Sequence, residues 1–431
     1  MPPVKIIILA VISALLMACK GSDNDVDLPV INGCEIDQQS QFVKDVLLDQ
    51  YLWYRDVDAT LNVDNLDSPN QALELLIDRD QDRFSGIDNA ANFDSLFSEG
   101  QYLGYGFSFK VASDSRVLIQ FIYDDSPTGR SDIQRGDEIL SINGQTVQEV
   151  IDAAAWDTVF GPNTQGHPLR MVLRNTVGNE FEVFMQKTTV NINTVLHHSV
   201  IDNGIENVGY LVFKSFLSPS NNEFPAVFED FRTAGVRKLV LDLRYNGGGS
   251  VSVANNLASY LYADSSSQEL FAKLLHNDKQ QFRNSSFYLN SALNKLNLTQ
   301  LIVITSAATC SASEMMINGL KPFIDVKTVG SKTCGKPVGM NGFRFCDNIL
   351  LPVTFEIRNQ SNEGNYFDGI AADCAAEDDV SFNFGNTSEP MLDEALYLSR
   401  ENSCQSASRP QQVSTQIKKF EPVVRTVIGA Q

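Results

Sequence analysis

The spacing of apolar residues changes twice along the chain and predicts three parts of different structure. Between residues 41 and 54 the apolar positions recur at helical spacing, as on one face of an α-helix. A second helix is expected to begin at Ser68-Pro69, because serine caps a helix N-terminus and proline fits its first turn. We therefore predict a small helical N-terminal domain over residues 41–98.

The second part, residues 99–192, consists of short runs rich in β-forming residues and separated by turns. The segment Gly104-Tyr105-Gly106-Phe107 is a glycine turn that leads into one of these runs. Short β-forming runs bounded by turn residues are typical of strands. A β-rich domain is therefore predicted here.

The third part, residues 193–400, alternates strand-like and helix-like segments. Its apolar, strand-like runs lie at 208–213, 238–244 and 301–305. Helical patterns lie at 224–231 and 253–262. This alternation predicts an α/β core. The whole chain is therefore expected to be an α+β multidomain protein, with residues 401–431 as a loosely structured tail.

The N-terminus has the pattern of an exported protein. Lys5 precedes a 13-residue apolar run, which is too short to span a bilayer and suits the core of a signal peptide. The run ends in Leu16-Met17-Ala18-Cys19, which resembles the bacterial lipobox. That resemblance implies that residues 1–18 are a lipoprotein signal peptide and that Cys19 is lipidated. An ordinary signal peptide with an incidental cysteine is the alternative.

A lipid on Cys19 implies a membrane-anchored protein of the bacterial cell envelope that faces the periplasm. Residues 19–40 are then expected to be a polar tether between the anchor and the folded part. Lys20 is not the aspartate that retains enterobacterial lipoproteins in the inner membrane, so the outer membrane is favoured.

The charge of the chain excludes one class of partner. The formal net charge is −20, with 53 acidic residues against 33 lysines and arginines. Nucleic acids and anionic lipid surfaces are bound by basic patches, so we expect no nucleic acid as a partner. The four histidines lack the zinc-protease spacing and no CxxC pair occurs, so neither a metal nor another cofactor is expected.

Residues 309–314, Thr-Cys-Ser-Ala-Ser-Glu, lie between the predicted strand at 301–305 and a helical run at 315–320. A serine at such a turn can present its hydroxyl beside unpaired N–H groups and the positive end of the helix dipole. Ser311 and Glu314 also match a capping box, in which both side chains only satisfy backbone donors. The hexapeptide alone leaves both interpretations open.

Residues 245–249, Tyr-Asn-Gly-Gly-Gly, interrupt the chain between a predicted strand and a predicted helix. Phosphate-binding loops share this order, but the Gly-Lys-Ser/Thr ending is absent, so nucleotide binding is a weak alternative. Glycines leave N–H groups accessible, with no Cβ in the way, to a negative charge that develops during a reaction. Gly248 and Gly249 are therefore candidate oxyanion donors.

Residues 135–144 read Arg-Gly-Asp-Glu-Ile-Leu-Ser-Ile-Asn-Gly, and this string resembles that of PDZ domains. The resemblance implies a module that binds the C-terminal end of a peptide. In such a module loop N–H groups hold the terminal carboxylate and a strand edge pairs with the peptide backbone. The candidate carboxylate loop is Gly104, Tyr105, Gly106 and Phe107, and a plain β-turn is the alternative.

Three features in this order resemble the C-terminal processing (tail-specific) serine proteases. They are the string from Asp242 to Gly249, the string Ser311-Ala312-Ser313-Glu314, and Gly335-Lys336, in which the lysine follows Ser311 by 25 residues. The resemblance covers roughly residues 40–400. It implies a catalytic core of the crotonase/Clp-like fold, preceded by a helical domain and a PDZ domain.

By this resemblance Ser311 is the nucleophile, Lys336 is its general base and Glu314 is a candidate third member. A lysine can act as a base when burial lowers its pKa towards neutrality. The resemblance implies a serine endopeptidase that acts on proteins or peptides with free C-termini. The implied oxyanion donors are the backbone N–H groups of Gly248 or Gly249 and of Ala312.

The chain departs from its expected relatives at two supporting positions. Met340 stands where some relatives have a glutamine that orients the lysine, and Pro322 stands where others have an acid. A catalytically weak or inactive peptide-binding lipoprotein of the same fold is therefore the alternative. An acyl-CoA enzyme of the crotonase type is a second alternative, which the PDZ string and the Ser–Lys pair disfavour.

Six cysteines follow Cys19, an even number that favours disulfides in an exported protein. Cys310 and Cys334 lie beside the predicted nucleophile and near the predicted base, which suggests a disulfide that braces the site. Asn341-Gly342 is a strong hairpin signal, and it leaves a Cys334–Cys346 pair possible without enforcing it.

Overall fold

The computed structural model describes residues 31, 33–262, 269–290 and 295–405. The predicted signal peptide, the lipidation site Cys19 and most of the predicted tail lie outside these described residues. Within the described ranges, none of the helices combines the length and the apolar character needed to cross a membrane.

The N-terminal part is helical, as predicted. Its first helix begins five residues earlier than expected, because Glu35 and Gln38 form a capping box ahead of the apolar stripe. Ser68 caps the second helix by accepting from the N–H of Gln71. The elements are α1 (Ile36–Gln50), a single turn at Tyr54–Asp56, α2 (Pro69–Leu76), β1 (Gly86–Asn89), α3 (Ala90–Asp94) and a turn of π-helix at Ser95–Glu99.

The second part is a five-stranded antiparallel sheet, in the order β3-β4-β5-β7-β8, with β6 added beside β5 and with two short helices. Strands β2 and β9, which lie just before and just after this sheet in the chain, pair with each other. The elements are β2 (Gln101–Gly104), β3 (Phe107–Val111), β4 (Val117–Ile122), β5 (Glu138–Ile142), β6 (Gln145–Thr146), α4 (Val147–Asp152), α5 (Trp156–Phe160), β7 (Pro168–Arg174), β8 (Glu180–Gln186) and β9 (Thr188–Asn191).

The third part is an α/β core. Its first elements are β10 (Val195–Asp202), β11 (Asn207–Phe213), α6 (Ser220–Thr233), β12 (Lys238–Asp242), α7 (Val251–Leu261), β13 (Leu270–His276), a single turn at Gln281–Arg283, β14 (Ser285–Tyr288) and β15 (Gln300–Thr305). The remaining elements are α8 (Ala312–Leu320), β16 (Asp325–Gly330), β17 (Val338–Met340), β18 (Phe343–Phe345), β19 (Asn348–Leu351), β20 (Val353–Arg358), β21 (Cys374–Ala375) and α9 (Pro390–Glu401).

The main sheet of the core has the order β10-β11-β12-β15-β16-β21, and only β10 runs antiparallel to its neighbour. Helices α6, α7 and α8 pack on one face of this sheet, and α9 packs on the other. Because both faces are covered, the central strands are apolar throughout, which is why they appear in the sequence as uninterrupted hydrophobic runs.

The carboxyl ends of three neighbouring parallel strands define one edge of the core. Strands β12, β15 and β16 end at Asp242, Thr305 and Gly330. The glycine turn, the Ser311 turn and the lysine loop each follow one of these ends. Segments that are far apart in sequence therefore meet at this edge, as expected for parallel sheets.

The N-terminal part does not have a separate core. Strand β1 pairs with β19, and apolar residues of α1 and α2 share one cluster with Val338, Phe343 and Phe345. A disulfide between Cys34 and Cys346 joins the same two regions.

The predicted hairpin at Asn341-Gly342 is wrong. Strand β17, before it, pairs with β20, whereas β18, after it, pairs with β19. The two strands that flank the dipeptide are thus drawn to different sheets, because each has a longer apolar partner elsewhere. Cys346 accordingly pairs with Cys34 and not with Cys334.

Candidate active site

Ser311 occupies a strained turn at the N-terminus of α8. Its φ is 56° and its ψ is −114°, which is an uncommon conformation for a residue that carries a Cβ. The turn is held by the backbone oxygen of Asn246, which accepts from the N–H of Cys310 at 3.1 Å and from the hydroxyl of Ser313 at 3.0 Å. Asn246, which belongs to the quoted glycine-turn string, is thus a positioning residue that sequence reasoning did not single out.

The glycine turn lies directly against the serine turn. A Cβ on Gly248 would lie 2.9 Å from both the Cys310 oxygen and the Ser311 Cβ, so this close approach requires glycine. The N–H of Gly248 donates to the Asn246 side chain at 2.8 Å and is therefore engaged. In the described part of the chain, the N–H groups of Gly249 and Ala312 have no hydrogen-bond acceptor. The geometry therefore favours Gly249 over Gly248 as the first oxyanion donor.

Lys336 projects its amine into a mostly apolar environment. Its Nζ lies 3.7 Å from the Sδ of Met340 and 5.1 Å from the centre of the Phe84 ring. Burial lowers the pKa of Lys336 to about 8, although the carboxylates of Asp82 and Glu314 act in the opposite direction. Among the described residues, no hydrogen bond joins this Nζ to Ser311. Met340, which stands where a glutamine was expected to orient the lysine, does lie beside the amine. Its thioether is only a weak hydrogen-bond acceptor.

Glu314 is buried and binds the backbone of both arms. Its carboxylate accepts from the N–H of Ser311 at 3.0 Å, of Gly335 at 2.7 Å and of Lys336 at 2.8 Å. The Thr333 hydroxyl donates to it at 2.5 Å. The backbone nitrogens of Ser311 and Lys336 donate to the same oxygen of Glu314. They are therefore no farther apart than the sum of these two hydrogen-bond lengths. Burial raises the pKa of Glu314, and these donors oppose that rise.

This arrangement changes the role expected for Glu314. None of the hydrogen bonds of its carboxylate goes to the Lys336 amine or the Ser311 hydroxyl within the described structure. The Glu314 side chain therefore both forms the capping interaction with Ser311 and contributes to the candidate site by binding the lysine loop. Glu314 is a positioning residue, which holds the loops that carry the candidate nucleophile and base.

A disulfide joins Cys310 and Cys334, as predicted, with their Cα atoms 5.2 Å apart. It links the residue before Ser311 to the loop that carries Lys336, and therefore adds a covalent brace to the hydrogen bonds of Glu314. The third disulfide, Cys374–Cys404, lies elsewhere and ties the start of the predicted tail to β21.

Loss of the Cys310–Cys334 disulfide is expected to lower the peptidase activity that the sequence predicts roughly tenfold, because small displacements of catalytic groups are costly. The measurement compares the parent with a Cys310→Ser, Cys334→Ser double variant and with parent treated with reductant. The matched control is a Cys374→Ser, Cys404→Ser double variant, which should retain activity. Full activity in protein whose Cys310 and Cys334 thiols titrate as free would contradict the brace.

The candidate carboxylate loop lies between β2 and β3. Gly106 has a φ of 92°, and a Cβ on it would lie 2.0 Å from the Cβ of Ser126, so the loop requires glycine there. Among the described strands β3 is an edge strand, available to pair with an extended peptide. The Phe107 ring lies 6.0 Å from that of Phe160 on α5, so aromatic side chains border this edge. Gly104 instead ends β2 and pairs with Thr188.

A buried charge network connects this β-rich domain to the glycine turn. Asp378 binds Arg135 at 2.9 Å and Arg244 at 2.9 Å, and it accepts from the Tyr245 hydroxyl at 2.5 Å. Burial alone would raise the pKa of Asp378, but the two arginines hold it below its usual range. Glu389 completes the network by binding Arg244 at 2.8 Å. Sequence reasoning missed both acids, because they lie in a polar segment without a motif.

Comparison with known proteins identifies each part. The sequence profile for peptidase family S41 matches residues 207–376. The profile for the peptidase S41 N-terminal domain matches residues 38–86, and that for the PDZ domain matches residues 96–172.

One solved structure, described as an S41 protease from Bacteroides fragilis NCTC 9343, shares 27% identity with a TM-score of 0.69 and covers 84% of this chain and 97% of that chain. The photosystem II D1 C-terminal processing protease shares the fold at 17% identity, with a TM-score of 0.50 over 80% of this chain and 94% of that chain.

A curated relative, described as a CtpA-like serine protease of Staphylococcus epidermidis (strain ATCC 12228), is 22% identical over 275 residues, which are 63% of this chain and 52% of the relative. The chain thus spans about half the length of the curated relatives it matches. Since the S41 N-terminal, PDZ and S41 peptidase profiles match in that order on a fold shared with solved S41 structures, the chain belongs to peptidase family S41.

Proposed function

We propose that this protein is a serine endopeptidase of the bacterial envelope that uses a Ser311–Lys336 dyad to cleave exposed or unfolded C-terminal regions of proteins. The observation that carries the proposal is the shared contact of Glu314. One carboxylate oxygen accepts from the backbone of both residues, which keeps the candidate nucleophile and base on adjoining loops. The low pKa of Lys336, about 8, supports its role as a base.

In this mechanism, neutral Lys336 takes the hydroxyl proton as the Ser311 Oγ attacks the scissile carbonyl carbon. Nζ contacts Met340 and has no hydrogen bond to Oγ within the described structure, so the two atoms have to approach each other for this transfer. The N–H groups of Gly249 and Ala312 stabilise the resulting oxyanion. The lysine then returns its proton to the leaving amine. Water hydrolyses the acyl-enzyme, with the same amine as base.

The PDZ domain is proposed to select substrates by their C-termini. A peptide would extend the sheet along the edge of β3, with its carboxylate at the turn that contains Tyr105 and Gly106. Arg135 of this domain donates to the Tyr245 hydroxyl at 2.9 Å, so the PDZ domain adjoins the glycine turn of the candidate site. A lipid on Cys19 would place the enzyme at the membrane, facing the periplasm.

The tail requirement predicts a difference between free and blocked C-termini. A peptide substrate with an apolar C-terminus should be cleaved with a KM about tenfold lower than the same peptide with a C-terminal amide, since a charged hydrogen-bonding group is lost. The measurement is kcat and KM for both peptides, with binding to a Ser311→Ala variant measured in parallel. Equal KM values for the two peptides would contradict recognition of the carboxylate.

A catalytically inactive, peptide-binding protein is the second candidate, and one observation favours it. Met340 contacts the lysine amine where relatives are expected to have a glutamine, and the described structure shows no hydrogen bond between Lys336 and Ser311. This candidate predicts that C-terminal peptides bind equally well to the parent and the Ser311→Ala variant, and that neither cleaves them.

A further inference from the structure

The lysine loop contacts a segment of the N-terminal domain that no motif singled out. Arg83, which lies between α2 and β1, uses one guanidinium nitrogen as donor to three backbone oxygens. These are Cys334 O at 2.7 Å, Gly335 O at 3.3 Å and Phe367 O at 3.1 Å. Two of these acceptors belong to the residues immediately before Lys336. The guanidinium therefore holds the backbone that carries the candidate base.

The next residue contacts the amine itself. The Phe84 ring lies 5.1 Å from the Nζ of Lys336, on the side that faces the N-terminal domain. Across the site, the Sδ of Met340 lies 3.7 Å from the same atom. The amine thus has an aromatic ring from one domain and a thioether from another as neighbours, and both groups are apolar.

The positions of Arg83 and Phe84 are fixed by a buried acid. Asp82 is fully buried and accepts from the N–H groups of Phe84 and Ser85, each at 2.9 Å, and from the Tyr51 hydroxyl at 2.8 Å. The Ser85 hydroxyl in turn accepts from the N–H of Val353 at 2.8 Å. The segment is therefore attached both to Tyr51, the residue that follows α1, and to β20, the strand next to β17.

The lysine loop is also held by the 367–370 segment. A Cβ on Gly335, whose φ is 85°, would lie 2.1 Å from the oxygen of Phe367. The N–H of Thr333 donates to the oxygen of Ile370 at 3.0 Å. Arg83 therefore joins the lysine loop to the 367–370 segment through one guanidinium nitrogen, so removal of the guanidinium releases its hydrogen bonds to both.

We propose that Arg83 and Phe84 are positioning residues of the active site, through which the N-terminal domain holds the loop of Lys336 and shields its amine from water. This inference rests on the proposed function, in which Lys336 is the general base. It makes the N-terminal domain part of the catalytic apparatus in addition to its place in the folded core.

Burial and the charged groups around the amine determine in which direction the pKa of Lys336 should change when Phe84 is replaced. The carboxylates of Asp82 and Glu314 favour the charged lysine, and the guanidinium of Arg83 lies on the neighbouring carbonyls. Burial outweighs the two acids and lowers the pKa of Lys336 to about 8. Removal of the Phe84 ring admits water and should raise this pKa, because the loss of a cation–π contact is the smaller effect.

The test uses the full chain and four variants, with kcat/KM measured against pH on an unfolded protein and unfolding followed by heat. Phe84→Ala should shift the ascending limb of the pH profile of kcat/KM to higher pH by about one unit. This shift lowers kcat/KM at pH 7 about tenfold. Phe84→Leu, which retains an apolar cover, should restore the parent limb. Arg83→Met should lower kcat about tenfold with little change in KM.

The matched control is Arg55→Met, which removes an exposed ion pair with Asp278 between the same domain and the core. This variant should leave both the activity and the ascending limb of the pH profile unchanged. A loss of activity in Phe84→Ala without movement of the limb, or parent-like activity in both Phe84→Ala and Arg83→Met, would overturn the proposal.

A second readout does not require turnover. The pKa of Lys336 can be followed from its ¹³Cε resonance in the Ser311→Ala background and assigned by its absence in Lys336→Met. A rise of about one unit in Phe84→Ala supports the shielding role even if the parent cleaves nothing, in which case only the proposed peptidase function fails. An unchanged lysine pKa in Phe84→Ala sinks the shielding role whatever the activity.

Discussion

Replacement of Ser311 by alanine is expected to reduce peptide cleavage by at least about a thousandfold, because the acyl-enzyme can no longer form. The fold should persist, since Ser311 already has a positive φ and alanine adds no atoms to the turn. The measurement is the cleavage rate of an unfolded protein such as casein, together with the temperature of unfolding and the affinity for a C-terminal peptide.

The matched control for this variant is Ser313→Ala. The Ser313 hydroxyl is buried and donates to the Asn246 oxygen at 3.0 Å, so its loss should cost about 1 kcal/mol of stability. Its activity should nevertheless remain within about tenfold of the parent, since the N–H of Cys310 still donates to the same Asn246 oxygen and holds the turn. Equal, measurable cleavage by the parent and Ser311→Ala would refute Ser311 as nucleophile. Peptide binding without cleavage by either form would support the peptide-binding alternative.

Replacement of Lys336 by methionine is expected to lower kcat/KM by about a thousandfold, because the general base is lost while the apolar stem is retained. The parent should become more active as the pH rises through about 8, since only the neutral amine can accept the serine proton. The measurement is the pH profile of the parent beside that of the variant. The control is Lys332→Met, which alters an exposed lysine of the same loop.

The same lysine has a predictable effect on stability. Its pKa is about 8 in the folded protein and near 10.5 when unperturbed, so between these values the unfolded chain binds more protons. Stability of the parent should therefore rise over that pH window, and Lys336→Met should lack this contribution. An acid optimum for cleavage would contradict the lysine base, whatever the stability shows.

The two predictions together separate the proposed peptidase from its alternative. If the parent cleaves and both variants are folded but inactive, the dyad is supported and the departure at Met340 is compatible with catalysis. If no form of the protein cleaves while all bind C-terminal peptides, the contact between Lys336 and Met340 marks an inactive site.

The N-terminal part and the PDZ domain both contact the segments of the core that form the candidate site. Three segments approach the edge of the main sheet, and each is held by a residue from another part of the chain. Arg83 holds the lysine loop, Asn246 holds the serine turn, and Arg135 of the PDZ domain binds Tyr245 beside the glycine turn. Activity is therefore expected to depend on the whole folded chain.

The sequence by itself determined the local elements and the chemistry of the candidate site. The apolar runs at β11, β12 and β15 and the capping signal at Ser68 are local patterns, and the structure contains strands and a helix at those places. The Ser311 and Gly335-Lys336 strings identified the family because their spacing follows from the length of one strand, one helix and one loop. The family profiles confirm that resemblance.

Only the tertiary structure decided which segments meet. The hairpin expected at Asn341-Gly342 is absent because β17 and β18 find partners in different sheets, a choice made by register and apolar faces and not by the dipeptide. Glu314 proved to hold two loops, and Arg83 reaches a loop 251 residues away. Such contacts depend on how strand ends and domains pack around a shared core, which no local pattern of residues records.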